Sequence, residues 1–322
     1  MTNFLTSPIV YSFICYTIGC FSLPIHLFGG YCILFQTPSS MKSVKFALLN
    51  LHFWSCSTDL LFSVILQPFT CFSAPISVSL GLLRFLIVGP NFGVCLMMTS
   101  LSLVAVSTIF IFENRFYILF MQQTWWRHFR FLLLLFNCGV VISNLIPPWL
   151  EIVKDQDSIR EIAFQKTSEL VTFDNPKLIF ATLENFWISM RGLALLLVFF
   201  SQTVTLVILT HVFMKNAVKT SSAEFHKTQK TLLRAIYLQI SISFCLIFIP
   251  ELAAIVVRLF ANSIQEAANL TNLFLSIHGA SGTIVMLYLY RPYRTFCRKL
   301  LNYAICCRKN NKQGFLKHKN LH

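Results

Sequence analysis

Seven long apolar runs divide this chain, and each is long enough to cross a lipid bilayer. The hydrocarbon core of a bilayer is about 30 Å thick, so a membrane-spanning helix needs about 20 apolar residues. Runs of this kind cover residues 9–35, 46–69, 85–112, 131–150, 186–213, 232–257 and 272–290. The pattern predicts an all-α membrane protein, a bundle of seven transmembrane helices.

The composition of the chain leads to the same class. Of its 322 residues, 56% are hydrophobic and 12% are charged, whereas soluble chains carry about 25% charged residues. Because this leaves too little polar surface for a water-facing exterior, we expect one membrane-embedded domain at residues 1–291 and a basic tail at residues 292–322. The formal net charge is +14. The basic residues that produce it lie between apolar runs and not on one face of a charged fold, so we expect no nucleic acid partner.

The distribution of lysine and arginine predicts the orientation of the bundle. Cytoplasmic connections of membrane proteins carry an excess of these residues. If the N-terminus lies outside, 19 of them fall on the inner side and 7 on the outer side. We therefore expect a multi-pass plasma-membrane protein with its N-terminus outside and its C-terminus in the cytoplasm.

No pattern of catalytic or metal-binding residues stands out in the chain. Its 11 cysteines form no CxxC motif and no metal-like spacing with histidine. Several lie inside apolar runs, where a cysteine is typically a small buried apolar side chain. Histidines occur singly in different spans. We expect no enzyme activity, no cofactor and no bound metal.

Four stretches, in this order along the chain, are similar to one known family. They are FGGYCILFQTPSSMKSVKFALLNLHFWSCSTDLLFSVILQPF in the first two spans, FIFENRFYIL at the inner end of the third, YLQISISFCLIFIPEL in the sixth and SIHGASGTIVMLYLYRPYRTFC in the seventh. Together they resemble the nematode serpentine chemoreceptors, most closely the Srh class of the Str superfamily. The resemblance implies a fold like that of G-protein-coupled receptors, a small-molecule ligand, a heterotrimeric G protein as partner and a location in the sensory cilia of neurons.

A more distant likeness to rhodopsin-like receptors suggests roles for individual residues. It places Asp59 where that group carries a carboxylate in the second helix, and Glu113 and Arg115 where it carries an acid-arginine-aromatic motif. Here Asn114 separates the acid from the arginine, which departs from that motif. The likeness implies that Glu113 and Arg115 contact the G protein, or that Glu113 forms an ion pair with Arg115. Arg294, beyond the seventh span, is a further candidate for G-protein coupling. The alternative for Arg115 is an ordinary positive anchor at the inner surface.

The long connection at residues 151–185 departs from those receptors too. It contains no cysteine, so the usual disulfide between this loop and the third helix cannot form. With seven acidic and four basic residues, the connection is expected to be a solvated lid that is long enough for local structure.

Two spans contain residues that are unusual in a membrane helix. A charge inside a bilayer is costly and is a functional candidate by default. Asp59 is therefore predicted to be a node of an interior polar network or a cation site, and the alternative is a carboxylate that only packs the helices. Pro250 removes a backbone donor and predicts a kink in the sixth helix, either a static one or a hinge for activation.

Three ionisable residues are predicted to share one layer near the outer ends of the last three spans. At 1.5 Å per residue, Arg191 lies about 9 Å below the outer end of its span, and Glu251 and His278 lie about 10–12 Å below theirs. We interpret this layer as a ligand pocket. The alternative is that Arg191 reaches the headgroups while Glu251 and His278 pair structurally. The predicted aromatic walls are Phe186, Trp187 and Phe274.

The segment after the seventh span predicts a short helix on the membrane surface. Beyond Pro292, apolar residues recur at helical spacing on one stripe and basic residues occupy the other side. We expect an amphipathic helix along the inner leaflet, with a disordered basic tail as the alternative. Cys306 and Cys307 are candidates for S-acylation. The sequon at Asn269 lies so close to the seventh span that glycosylation is disfavoured.

Two classes of function fit such a bundle: a receptor that signals through a G protein, and a transporter or ligand-gated cation channel. Transporters commonly show inverted repeats or paired broken helices, and none is visible in the sequence. Seven-span odorant channels of the insect type have the opposite orientation. The sequence therefore favours a chemosensory receptor that binds a small molecule from the outside, with the channel or transporter as the alternative.

Overall fold

The computed structural model describes residues 5–71, 76–86, 90–122, 124–146, 155–166, 168–173, 180–182, 186–217, 237–238, 241–242, 244–260 and 265–303. In these ranges the α-helices are α1 (Pro8–Phe35), α2 (Lys42–Leu60), α3 (Pro90–Phe116), α4 (Trp126–Ser143), α5 (Gln156–Lys166), α6 (Phe186–Ala217), α7 (Ile249–Phe260), α8 (Gln265–Leu289) and α9 (291–303). Single π-helical turns extend α2 over Leu61–Ile65, extend α3 over Tyr117–Met121 and precede α7 over Phe244–Phe248. The strands are β1 (Pro68–Cys71), β2 (Ile76–Ser79) and β3 (Phe180–Thr182). We call the end of the bundle at which α1 and α8 begin the outer end, and the opposite end the inner end.

Five helices among the described residues are long and apolar enough to cross a membrane. They are Pro8–Phe35, Val44–Ile65, Phe92–Met121, Met190–Lys215 and Gln265–Leu289. These helices coincide with the first, second, third, fifth and seventh predicted spans. The fourth span overlaps α4, which has 18 residues, and the sixth overlaps α7 and includes the turn before it. Each of the seven predicted spans therefore contains a helix.

The outside of the bundle is apolar, as contact with lipid requires. Phe13, Phe21 and Phe46 are 71%, 72% and 70% exposed, and Leu132 on α4 is 61% exposed. Water-soluble proteins rarely expose apolar area on this scale. The exposed aromatic and aliphatic side chains therefore agree with a membrane location.

The second helix is shorter than its predicted span because the chain turns at Gln67. The helix ends at Ile65, and Gln67 has a positive φ of 46°, which is uncommon for residues other than glycine. The buried amide of Gln67 holds this turn. Its Oε1 accepts a hydrogen bond from the Ser12 hydroxyl at 2.8 Å, and its Nε2 donates to the Ser63 carbonyl at 2.7 Å. Pro68 then begins β1.

Two other helices extend beyond their predicted spans. The third helix continues to Met121, so Glu113 and Arg115 lie inside it and not behind its end. The last long helix, α8, begins at Gln265, about two turns before the predicted start. Its first turns are polar but include buried side chains such as Asn269, so a reading for apolar runs alone misses them.

Pro250 coincides with an irregularity in the sixth span, as predicted. A proline has no backbone N–H and cannot donate to the carbonyl four residues earlier. The turn before it is π-helical over Phe244–Phe248, and regular α-helix resumes at Ile249. Pro250 itself lies in the first turn of α7, and the kink stays a prediction.

The main core lies between α1, α2, α3, α6 and α8, toward the inner end. Its buried residues include Ile33, Leu48, Val104, Phe112 and Met286. Lipid tails are as apolar as these side chains, so close packing and hydrogen bonds, and not the hydrophobic effect, hold membrane helices together.

The helical bundle carries a small antiparallel sheet at its outer end, which the prediction of an all-α protein did not include. The strand order is β1-β2-β3. Phe69 pairs with Val78 between β1 and β2, and Ile76 pairs with Thr182 between β2 and β3. The second and third strands lie about a hundred residues apart in sequence, so the sheet joins the connection after α2 to the connection before α6.

The long connection is folded where the structure describes it. We call α5, the 3₁₀ turn Ser168–Phe173 and the three strands the cap. The cap packs on the outer end of α1 through buried apolar residues, and Ser7 donates a hydrogen bond to Glu169. The buried residues of this contact are Tyr11, Cys15, Phe69, Val78, Leu80, Ile159, Ala163 and Leu170. The cap is thus attached by packing and strand pairing.

The predicted helix after the seventh span is present as α9. Its Phe296 stacks on Phe28 of α1 with ring centroids 6.3 Å apart. The Tyr293 hydroxyl lies 2.7 Å from Thr37 Oγ1, and burial raises the pKa of this phenol. Toward its end, α9 exposes Leu301, which is 62% accessible. Cys306 and Cys307, the predicted S-acylation sites, lie outside the described residues.

Candidate functional site

Asp59 lies in the interior of the bundle and joins three helices. Its side chain is fully buried. The backbone N–H groups of Gly279 and Ala280 in α8 donate to its two carboxylate oxygens at 2.8 and 2.7 Å. From α1, His26 Nε2 lies 3.0 Å from Oδ2. On the α8 side, His278 Nδ1 lies 3.6 Å from Oδ1. Asp59 therefore makes polar contacts that join α1, α2 and α8.

This contact requires α2 and α8 to approach each other closely. A Cβ atom added at Gly279 would lie 2.7 Å from the backbone oxygen of Ser55, well inside van der Waals distance. Glycine therefore lets α8 come near enough for its amide groups to reach Asp59. Gly29 similarly lets α1 approach α8 closely, because an added Cβ there would collide with the Thr283 side chain.

A second layer of polar contacts surrounds the carboxylate. His52 Nε2 lies 3.0 Å from the His26 carbonyl oxygen, and His52 Nδ1 lies 3.3 Å from Thr283 Oγ1. The Thr283 hydroxyl also donates to the Gly279 carbonyl at 2.8 Å. We call Asp59, His26, His52, His278 and Thr283 the Asp59 network. Every one of these contacts crosses between α1, α2 and α8 or lies within α8.

The donors around Asp59 favour a polar node over a cation site. A carboxylate that accepts hydrogen bonds from two peptide N–H groups and a histidine already has a positively polarised hydrogen atom next to each of its oxygens. A cation would have to displace at least one of them. Among the described residues, no group of three or more His, Cys, Asp or Glu side chains is arranged to hold a metal ion. The Asp59 network is best understood as a junction of three helices.

At the inner end, Glu113 binds α4 and not the nearby arginine. Its Oε2 accepts from Arg130 Nη2 at 3.0 Å, and its Oε1 accepts from the Trp126 indole at 3.1 Å. The predicted contact between Glu113 and Arg115 is therefore wrong. Residues two apart on a helix point to nearly opposite sides, so Asn114 between them separates the two charges.

Arg115 itself is buried between α3 and the inner end of α8. It is 4% exposed, and it interacts electrostatically with Tyr290. An ordinary positive anchor at a membrane surface would reach water or headgroups, so the burial of Arg115 does not fit that alternative. Arg294 has a different contact, because its Nη1 donates to the Tyr288 carbonyl at 3.2 Å and thereby closes the end of α8.

The three ionisable residues predicted to form one layer do not share it. Thr271 of α8 donates a hydrogen bond to the Pro250 carbonyl at 3.1 Å, which places Glu251 near the level of Thr271. His278 lies two turns further along α8, or about 10 Å deeper. The early start of α8 causes the error. His278 belongs to the Asp59 network, and the predicted pairing of His278 with Glu251 is replaced by that contact.

Arg191 and Glu251 lie on neighbouring helices near the outer end. Both are half-buried, as is Phe274 on α8. A Cβ atom at Gly192, next to Arg191, would lie 3.7 Å from Ile255 of α7, so α6 and α7 pack against each other here. The helix α6 begins at Phe186 as predicted, but the side chains of Phe186 and Trp187 lie outside the described residues.

Asn269 has a structural role that leaves no room for a glycan. It is fully buried in the second turn of α8. Its Nδ2 donates to the Leu5 carbonyl at 2.9 Å, and its Oδ1 accepts from the Thr70 N–H at 2.8 Å. Asn269 therefore ties the segment before α1 and strand β1 to α8.

Sequence reasoning identifies Asp59 but misses its partners. His26 and His52 occur singly in their spans and carry no motif. A signal is available in principle, because a carboxylate inside a membrane needs donors at its own depth. Identifying these donors requires knowledge of which helices are neighbours in the bundle, and a single sequence does not contain that information.

The fold and these contacts define a class of protein: a membrane protein built as a bundle of long apolar helices, with a buried carboxylate junction, a buried arginine toward the inner end and a helix after the last span. The sequence profile of the family described as Serpentine type 7TM GPCR chemoreceptor Srh matches residues 6–303, a range that includes all seven predicted spans. The chain belongs to this family.

A curated relative supports the assignment along nearly the whole chain. The Caenorhabditis elegans protein Serpentine receptor class H-72 is 26% identical over 316 residues, and the match covers 92% of this chain and 87% of that protein. The similarity therefore extends over almost the full length of both proteins.

Proposed function

We propose that this chain is a chemosensory receptor that binds a small molecule at the outer side and passes the signal to a heterotrimeric G protein at the inner side. The observation that carries the proposal is the Asp59 network. It joins α8 to α1 and α2 through buried polar contacts, and we propose that these contacts have two arrangements, one resting and one active. Two-state contacts of this kind convert a small helix shift into a change of state. Membership in the Srh family agrees with this proposal.

The proposed ligand site lies between the outer parts of α6, α7 and α8. Arg191 and Glu251 supply polar groups near this region, and Phe274 supplies an apolar wall. A small-molecule site is typically apolar with few polar groups that fix the orientation of the ligand. The π turn before Pro250 gives the sixth span a point at which the segment before it and α7 can move relative to each other.

The proposed partner surface lies at the inner end. Arg115 and Arg294 contact the G protein there, while Glu113 fixes α4 through Arg130. The receptor resides in the plasma membrane of sensory cilia, with α9 along the inner leaflet and its exposed Leu300, Leu301 and Tyr303 in contact with lipid.

Recording two responses in the same cell tests the function. The receptor is expressed with a fluorescent G-protein dissociation sensor, and a panel of volatile and water-soluble odorants is applied under voltage clamp. We expect at least one odorant to dissociate the G protein. When the G protein is blocked, we expect the same odorant to evoke no receptor-dependent current. A current that persists under that block would instead establish a ligand-gated channel.

Two substitutions then separate the ligand site from the helix junction. Glu251→Gln is expected to shift the odorant concentration for half-maximal response by about tenfold, the effect of about 1.4 kcal/mol, with normal surface expression. His278→Ala is the matched comparison and is expected to lower surface expression, because it removes a side chain beside Asp59. A shift in the half-maximal odorant concentration for His278→Ala with normal surface expression would instead assign His278 to the ligand site.

A further inference from the structure

The inner end of the bundle contains a buried positive charge without a matching negative one among the described residues. Arg115 is 4% exposed. Its Nε and Nη2 atoms have no hydrogen-bond acceptor within the ranges that the structure describes. A guanidinium group keeps its proton in proteins, and burying it unpaired is strongly unfavourable. An acceptor is therefore needed at this place.

The nearest carboxylate in sequence cannot be that acceptor. Both oxygens of Glu113 are engaged, one by Arg130 and the other by Trp126. The Arg130 guanidinium also lies over the Tyr117 ring, 4.2 Å from its centroid. This second arginine is thus paired in the usual way, and Arg115 has no carboxylate partner among the described residues.

A second buried donor lies close to Arg115. The Tyr290 hydroxyl is buried and has no hydrogen-bond partner in the described part of the chain. Its ring belongs to the same buried cluster as Phe112, which lies one turn before Arg115 on α3. A phenol that donates to an anion and a guanidinium that donates to the same anion form a simple anion-binding pair. A water molecule would accept the hydrogen bonds but would not neutralise the charge.

We propose that a small inorganic anion, phosphate or chloride, binds between Arg115 and Tyr290. The anion accepts hydrogen bonds from the guanidinium nitrogens and from the phenol, and it supplies a negative charge beside the guanidinium. This inference concerns the receptor alone. The anion occupies Arg115 when no G protein is bound, and the test needs neither an outer ligand nor that partner.

The test measures the thermal stability of the purified full-length receptor in nanodiscs of neutral phosphatidylcholine. Sodium gluconate keeps the ionic strength constant while phosphate or chloride replaces gluconate from about 1 to about 100 mM. A bound anion stabilises the folded state in proportion to the logarithm of its concentration, so we expect the Tm to rise by about 5 °C over this range.

Three variants assign the effect to the site. Arg115→Gln is expected to abolish the rise in Tm, and Tyr290→Phe to reduce it, because each removes a donor to the anion. Arg130→Gln is the matched control: it removes an arginine that already has a carboxylate partner, so the rise should persist. If Arg115→Gln does not fold, the wild-type series and Tyr290→Phe still decide the matter.

Three outcomes would overturn the inference. One is a wild-type Tm that does not respond to either anion. Another is an equal response in wild type, Arg115→Gln and Tyr290→Phe, which would place the anion elsewhere. The third is stabilisation by nanodiscs that contain phosphatidylserine together with no response to free anions in neutral ones, because it would assign the counter-charge to a lipid headgroup.

Discussion

The position of Asp59 between three helices depends on a glycine at position 279, where the side chain is only a hydrogen atom. Gly279 has no Cβ, and a Cβ there would lie 2.7 Å from the Ser55 carbonyl oxygen. The amide groups of Gly279 and Ala280 can therefore come within 2.8 and 2.7 Å of the carboxylate. Polar contacts between membrane helices are individually modest, so the junction relies on several of them being made at once.

Replacing Gly279 with alanine is expected to destabilise the receptor. The added methyl group pushes α8 away from α2, and this overpacking costs about 1–3 kcal/mol before the lengthened bonds to Asp59 are counted. The measurement is the Tm of the purified protein, together with surface expression.

Gly282→Ala is the matched control for this change. It lies in the same helix, and nothing among the described residues comes within 4 Å of its added Cβ. Alanine is favoured over glycine inside a helix by about 1 kcal/mol, so the control should be neutral or slightly stabilising. An equal loss of Tm in both variants would mean that the close approach at Gly279 does not limit stability.

The residues of the site can be predicted from the sequence only in part. Asp59 is recognisable because a carboxylate in an apolar run is rare and costly. The partners of Glu113 are not recognisable, because Arg130 lies on another helix and the choice between it and Arg115 depends on the directions in which side chains leave the helix. The depth of His278 is misjudged because the polar first turns of α8 do not look like part of a span.

At the scale of elements, the cap is the largest departure from the sequence prediction. Its strands have three or four residues each, and one of them begins inside the second apolar run. A short apolar stretch can be helix or strand with equal ease when only its periodicity is considered. The buried amide of Gln67 decides the matter by ending the helix before β1, and that effect requires the three-dimensional contacts to be known.

Replacing Leu170 with alanine is expected to loosen the cap. Leu170 is fully buried in the contact between the cap and α1, and truncation of such a leucine costs about 2–5 kcal/mol. We expect amide hydrogen exchange in α5 and β3 to accelerate by at least about tenfold, while exchange in α2 and α3 stays unchanged.

Val171→Ala tests whether burial is the cause. Val171 is the next residue in the same turn and is 57% exposed, so its truncation should leave the exchange of the cap unaltered. Similar acceleration in both variants would show that the turn is sensitive to any change and that the apolar contact is not what attaches the cap.

At the scale of the whole molecule, the sequence predicts the bundle well because the thickness of the bilayer sets the length of every span. The same constraint says nothing about rotation or relative depth of the helices. These come from packing, for instance from the contact between Thr271 and Pro250 that fixes the level of α8 against α7. The number of spans is accessible from the sequence, whereas their mutual arrangement is not.

The orientation of the bundle leads to a prediction about the two termini. Because basic residues concentrate on one side, a tag fused before Met1 should bind antibody on intact cells, and a tag fused after His322 only on permeabilised cells. Each tagged receptor is stained under both conditions, with a cytoplasmic protein as the control for membrane integrity. The opposite staining would contradict both the orientation and the proposed receptor function.

The pairing of β2 with β3 has a consequence for the biosynthesis of the chain. Ile76 and Thr182 are neighbours in the sheet, yet the ribosome makes them about a hundred residues apart, with two predicted spans between them. In the predicted orientation, β2 therefore reaches the far side of the membrane before β3 has been made, and its edge stays unpaired until then. An unpaired strand edge is prone to join other chains. Nascent chains that end between these two strands should accordingly be the ones most prone to aggregation and degradation during insertion. Pairing of β3 with β2 removes this exposure.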